Sequence, residues 1–151
     1  MNMFKSSKLL FVFFIFVSLL CASSKKITKL VGDDIIKTIK NSKNATLYKV
    51  GSRENAKVKN ISGFPILNKG ELLASAELKT LKSILLDDDS YDFEGQKRCA
   101  FSPSKAVVFG RGSKKVSVLF CFTCKELQFE SSDVSKIEDF DRVAQQLKLL
   151  L

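Results

Sequence analysis

The segment from residue 106 to residue 129 constrains this chain more than any other. Residues 106–109 (AVVF) form a continuous apolar run, and Gly110-Arg111-Gly112-Ser113 supplies turn residues. Val116, Val118, Phe120 and Phe122 then alternate with their neighbours, the period of a strand with one buried face. Together these predict a β-hairpin. Leu127 and Phe129 alternate with Glu126 and Gln128 and predict a third strand. The apolar positions change from even to odd between Phe122 and Leu127. A regular strand cannot change parity, so a bulge or turn is expected near Cys124 to Glu126.

Helical signals flank this block. Residues 25–45 carry Leu30, Val31, Ile35 and Ile39 at amphipathic spacing, weakened by Gly32. Residues 75–86 place Leu78, Leu81, Ile84 and Leu85 on one face, with Lys79 and Lys82 outward. That helix should stop before Asp87-Asp88-Asp89, because carboxylates are unfavourable at a helix C-terminus. The triple Asp lacks the spaced ligands and central Gly of a calcium loop and reads as a solvated loop. Short strands are expected at 46–50 and near 58–61. Ser135-Lys-Ile-Glu138 fits a capping box, and Ile137, Phe140, Val143, Ala144, Leu147, Leu150 and Leu151 share a helical stripe. The expectation is a C-terminal helix beginning there. The fold class is α+β: an antiparallel sheet with a central hairpin, packed by amphipathic helices.

The N-terminus reads as an export signal. Lys5 and Lys8 precede an apolar stretch of 14 residues from Leu9 to Ala22, and Ala22-Ser23-Ser24 suits cleavage before Lys25. The stretch is shorter than the roughly 20 residues that span a bilayer. Residues 1–24 are thus read as a signal peptide and 25–151 as one domain. Cys21 stands where bacterial lipoproteins carry lipid, although Leu20 departs from the small residue that class has before its Cys. The expected location is periplasmic or cell-surface, with a membrane anchor if Cys21 is lipidated.

Setting aside Lys5 and Lys8 leaves 23 basic against 16 acidic residues, a net charge of +7. Such a charge favours anionic partners, an anionic membrane surface or another envelope protein. Nucleic acid is disfavoured, because basic and aromatic residues are not interleaved. The lysines are scattered and form no dense block. With no His, a Ser-His-Asp or Cys-His centre is excluded. No phosphate-cradling glycine motif occurs. Asn44-Ala-Thr46 and Asn60-Ile-Ser62 fit the glycosylation sequon, a short pattern that arises by chance in a bacterial envelope protein.

The chemistry concentrates in Cys99, Cys121 and Cys124, which flank the hairpin. The pattern Ser90-Tyr91, Cys99-x-Phe101-x-Pro103, Ala106, Phe109 and Cys121-Phe122-x-Cys124 resembles a group of small exported bacterial proteins of unknown function. The resemblance spans roughly residues 80–130 and implies no activity. Three readings of the cysteines follow. In an oxidising compartment Cys99 would bond Cys121 or Cys124 and leave one buried thiol. Alternatively, Cys99, Cys121 and Cys124 would hold zinc, with Asp92, Glu94, Glu126, water or another chain as fourth ligand. Or Cys121 and Cys124 would exchange electrons as a redox pair, which needs the turn to bring their sulfurs together. The leading expectation is a non-enzymatic envelope module with a structural cysteine cluster and no cofactor. The alternatives are a thiol oxidoreductase or redox sensor and a thiolate metal module.

Overall fold

The computed structural model describes residues 25–53, 58–95 and 97–151. Residues 1–24, read above as a signal peptide, lie outside the described residues, and Cys21 with them. The protein is α+β, with a six-stranded antiparallel sheet. Its strands are β1 (Ala45–Lys49), β4 (Glu71–Leu72), β5 (Lys105–Phe109), β6 (Val116–Cys121), β7 (Glu126–Glu130) and β8 (Ser135–Asp139). Their spatial order is β4-β1-β5-β6-β7-β8. A separate small hairpin pairs β2 (Asn60–Ile61) with β3 (Phe64–Pro65).

Period-two alternation divides the sheet into two faces. Val107 and Phe109 of β5, Val116, Val118 and Phe120 of β6, and Leu127 and Phe129 of β7 share one buried cluster. Onto it pack four helices: α1 (Lys26–Val31), α2 (Asp33–Asn41), α3 (Ser75–Leu85) and α4 (Ala144–Leu150). Each contributes its apolar stripe: Ile27 and Val31, Ile35 and Ile39, Leu78, Leu81 and Leu85, and Leu147. Burying one such side chain contributes about 1.5–3 kcal/mol relative to exposure. On the opposite face Ala106 and Leu119 join Val50, Ile61 and Phe64 in a smaller cluster beneath the β2–β3 hairpin.

The predicted hairpin is β5–β6, with Phe109 opposite Val116. Its connection has Gly110 at φ +72° and Gly112 at φ +58°, conformations that suit glycine. The parity change is a turn. Cys121 pairs with Glu126, and Lys125 takes φ +56° between the strands. The strand before it ends at Cys121, so Phe122 lies in the turn, where its ring meets Phe140 at 5.9 Å.

Two expectations are corrected. The single amphipathic helix over 25–45 is two helices, broken where Gly32 adopts φ +88°, ψ 157°. That backbone state is open almost only to glycine. The C-terminal helix does not begin at Ser135, and residues 135–139 form β8, in register with β7 through Gln128↔Ile137 and Glu126↔Asp139. β7 would otherwise leave a row of backbone donors and acceptors unpaired, and satisfying them outweighs a local capping signal. The Ser135 hydroxyl accepts from the Gln128 side chain at 2.8 Å instead of capping a helix. Ile137 is consequently 46% exposed, and the helix begins only at Ala144.

Candidate functional site

The second face carries a row of polar and sulfur groups where β6, β7 and β8 meet. Cys121 lies opposite Glu126, and Glu126 lies opposite Asp139. All three are buried, Cys121 completely. The turn after Cys121 places Cys124 above this row, and the chain around Cys99 folds over it. Cys99 and Cys124 form a disulfide with a Cα–Cα separation of 5.9 Å, within the normal range for the bond.

Cys121 keeps a free thiol. Its sulfur accepts the Cys124 backbone N–H at 3.4 Å. Cys124 is thus joined to Cys99, and the C-x-x-C segment does not close on itself. Of the three predicted residues, two are bonded and the third is buried beneath the turn.

Lys97 ties the loop to the strands. Its ammonium pairs with Asp139 at 2.7 Å and Asp141 at 2.5 Å, and donates to the Cys124 carbonyl at 3.0 Å. Lys125 pairs with the other oxygen of Asp141 at 2.9 Å. The second oxygen of Asp139 accepts the Asp141 N–H at 3.0 Å. Asp139 therefore has both oxygens engaged and serves to hold the loop.

The electrostatics follow from the Lys97 hydrogen bonds and, at Glu126, from burial. Burial alone would lower the Lys97 ammonium, but hydrogen bonds to Asp139 and Asp141 carry it above its usual value. The same bonds, from Lys97 first and Lys125 second, hold Asp141 well below the ordinary carboxylate range. Burial pushes Glu126 up, the neighbouring Asp139 adds to this, and Lys97 opposes it. The donors of Cys99, Cys124 and Glu126 lie within 4.8 Å of one another. Glu126 is one of the acidic candidates for a fourth ligand, and its place on the non-core parity of β7 is readable from sequence. Asp139 and Asp141 were hidden by the expectation of a helix there.

A second candidate lies among the helices, on the other side of the sheet. A groove of about 800 Å³ is lined by Lys25, Lys40, Lys43, Lys79 and Lys82, with Ser42, Ser75 and Ser83 between them and Asp87 as its one acid. Lys82 donates to the carbonyls of Lys40 and Ser42 at the end of α2, and Lys25 donates to the Leu86 carbonyl at 2.7 Å. These two ammonium groups offset the negative ends of the helices. Lys40, Lys43 and Lys79 are exposed and have no carboxylate partner among the described residues. A larger groove of about 1060 Å³ mixes Asp33, Asp34 and Asp133 with Lys37, Arg111, Lys114 and Lys115, so it lacks a single sign. Among the described residues no helix is long and apolar enough to cross a membrane.

Compared with family models, curated proteins and solved structures, the chain matches none.

Proposed function

We propose that this chain is an exported, non-enzymatic binding module that rests on an anionic membrane surface through its lysine groove, with the Cys99–Cys124 bond as its staple. The observation that carries this reading is the convergence of five lysines, drawn from three separate stretches of the chain, around one groove with a single acid. Two of them satisfy helix ends, which leaves Lys40, Lys43 and Lys79 to face phosphate headgroups. Each lysine close to an anionic leaflet contributes about 1 kcal/mol. The serines between them add hydroxyl donors for headgroup oxygens. The second face supports a structural role for the cysteines, because Cys124 is bonded to Cys99 and Cys121 is buried.

The test is co-sedimentation of the 25–151 protein with vesicles of phosphatidylcholine alone or mixed with phosphatidylglycerol. Binding is expected only to the anionic vesicles and should vanish near 1 M salt, where the screening length falls to about 3 Å. Neutralising Lys40, Lys43 and Lys79 together to Gln should weaken it by about 100-fold. Equal binding to both vesicle types, or full binding by the triple variant, would overturn the reading.

A further inference from the structure

The disulfide and the carboxylate beside it use the same donor atoms that a thiophilic cation would use. Cys124 and Glu126 are two residues apart, on either side of Lys125, whose left-handed backbone turns the chain into β7. Cys99 arrives from the other side, on a loop held by Lys97. The two sulfurs and one carboxylate oxygen all lie within 4.8 Å of one another. In a tetrahedral zinc site the donors sit about 3.5–3.8 Å apart, given Zn–S near 2.3 Å and Zn–O near 2.0 Å. Once reduced, the sulfurs must move apart to reach that spacing, and the Glu126 carboxylate already lies within 4.8 Å of both.

We infer that reduction of the Cys99–Cys124 bond creates a three-ligand site for a zinc-class divalent cation, formed by the two sulfurs and the Glu126 carboxylate. A dithiol reductant supplies two electrons and two protons, becomes a disulfide itself and leaves two thiols. Cation binding then releases both thiol protons to solvent. Two thiolates and a carboxylate around a divalent cation leave one negative charge, which the Lys97 ammonium beside the Cys124 carbonyl opposes. Cys99 is exposed, so solvent reaches the remaining coordination position. Cys121 is not one of the ligands. Its sulfur lies beneath the turn, accepting the Cys124 N–H. The site is therefore mutually exclusive with the staple: the sulfurs hold each other or hold the cation. This inference is independent of the lysine groove.

Cobalt(II) titration of the 25–151 protein, followed by thiolate-to-cobalt charge-transfer absorption, tests it. The oxidised protein should show no such band, and the reduced protein should saturate at one equivalent. Glu126→Gln should weaken affinity by at least about 10–100-fold, the loss typical of removing only an outer-shell partner of a metal ligand. Cys121→Ser should bind as the parent does, and Cys99→Ser should lose most of the band. No saturable band in the reduced parent would overturn the inference. So would Glu126→Gln binding as tightly as the parent, which is also the behaviour of thiols in an unfolded reduced chain. A loss in Cys121→Ser equal to that in Cys99→Ser would place the site elsewhere.

Discussion

The carboxylate of Asp88 accepts the backbone N–H of Lys26 at 2.8 Å, across 62 residues of sequence. Its other oxygen accepts the N–H of Ile27 at 3.0 Å. The first turn of a helix leaves its N–H groups without intrahelical partners, and a nearby anion both satisfies them and favours the positive end of the dipole. Lys25, just before the helix, supplies no cap of its own. The acidic stretch read as a solvated loop therefore clamps α1 onto the end of α3. Asp87 meanwhile caps the short turn that presents Asp88, by accepting the Asp89 N–H at 3.1 Å.

Asp88→Ala should cost about 0.5–2 kcal/mol, the range for losing a side-chain cap on a helix N-terminus. Asp88→Asn keeps an acceptor but not the charge and should fall between. Urea denaturation of the three proteins measures this. An Ala variant as stable as the parent would mean that α1 is held by Ile27 and Val31 alone.

Loss of the staple should cost more. The bond closes a loop with a sequence separation of 25, for which chain entropy gives about 3–4 kcal/mol. Cys99→Ser and Cys124→Ser should each lower stability by up to that amount, and Cys121→Ala should cost much less because it removes only a small buried group. Alkylation under denaturing, non-reducing conditions should label one thiol in 25–151, at Cys121. Labelling of the native protein should be slow, because that side chain is buried. Three labels, or a melting temperature unchanged in Cys99→Ser, would sink the staple.

Much of the sheet is legible in the sequence, because strand parity is a local signal. The shift between Phe122 and Leu127 locates the β6–β7 turn, and Gly110 and Gly112 mark the preceding one. What is not legible depends on partners distant in the chain. Residues 135–139 satisfy a helix-start pattern, yet the unpaired edge of β7 draws them into a strand. The Ser135 hydroxyl then turns to Gln128. The same loss hid Asp139 and Asp141 from the site, since an expected helix could not place them beside Lys97. Lys40 and Lys43 are three residues apart, as are Lys79 and Lys82, but nothing along the chain joins these two pairs to each other or to Lys25. Their convergence arises only when α2 packs beside α3. Cysteine proximity was readable, but the choice of Cys124 over Cys121 was not. It depends on the turn, which leaves Cys121 at the end of β6 beneath the Cys124 N–H and presents Cys124 to Cys99.

The pH dependence of stability should carry two opposed signatures. Glu126 and Glu138 titrate above their ordinary 4.5, chiefly through burial. Between the ordinary and the raised value the folded protein binds more protons than the unfolded chain, so stability falls as pH rises through that window. Asp141 titrates well below its ordinary 3.8 because Lys97 and Lys125 donate to it. There the unfolded chain binds more protons, so the stability it contributes is present above about pH 4 and is lost as pH falls toward its folded value. Stability should therefore peak in mild acid, decline modestly toward neutrality and drop steeply below about pH 4. The chain has no His, so no imidazole titration overlies the neutral limb. Urea midpoints measured from pH 3 to pH 8 test both limbs. Glu126→Gln should flatten the neutral decline and leave the acid limb in place, while Lys97→Gln should make the acid limb shallower and lower stability at neutral pH. A Glu126→Gln profile that parallels the parent throughout would show that its carboxyl is not held in the low-dielectric row beside Cys121 and Asp139.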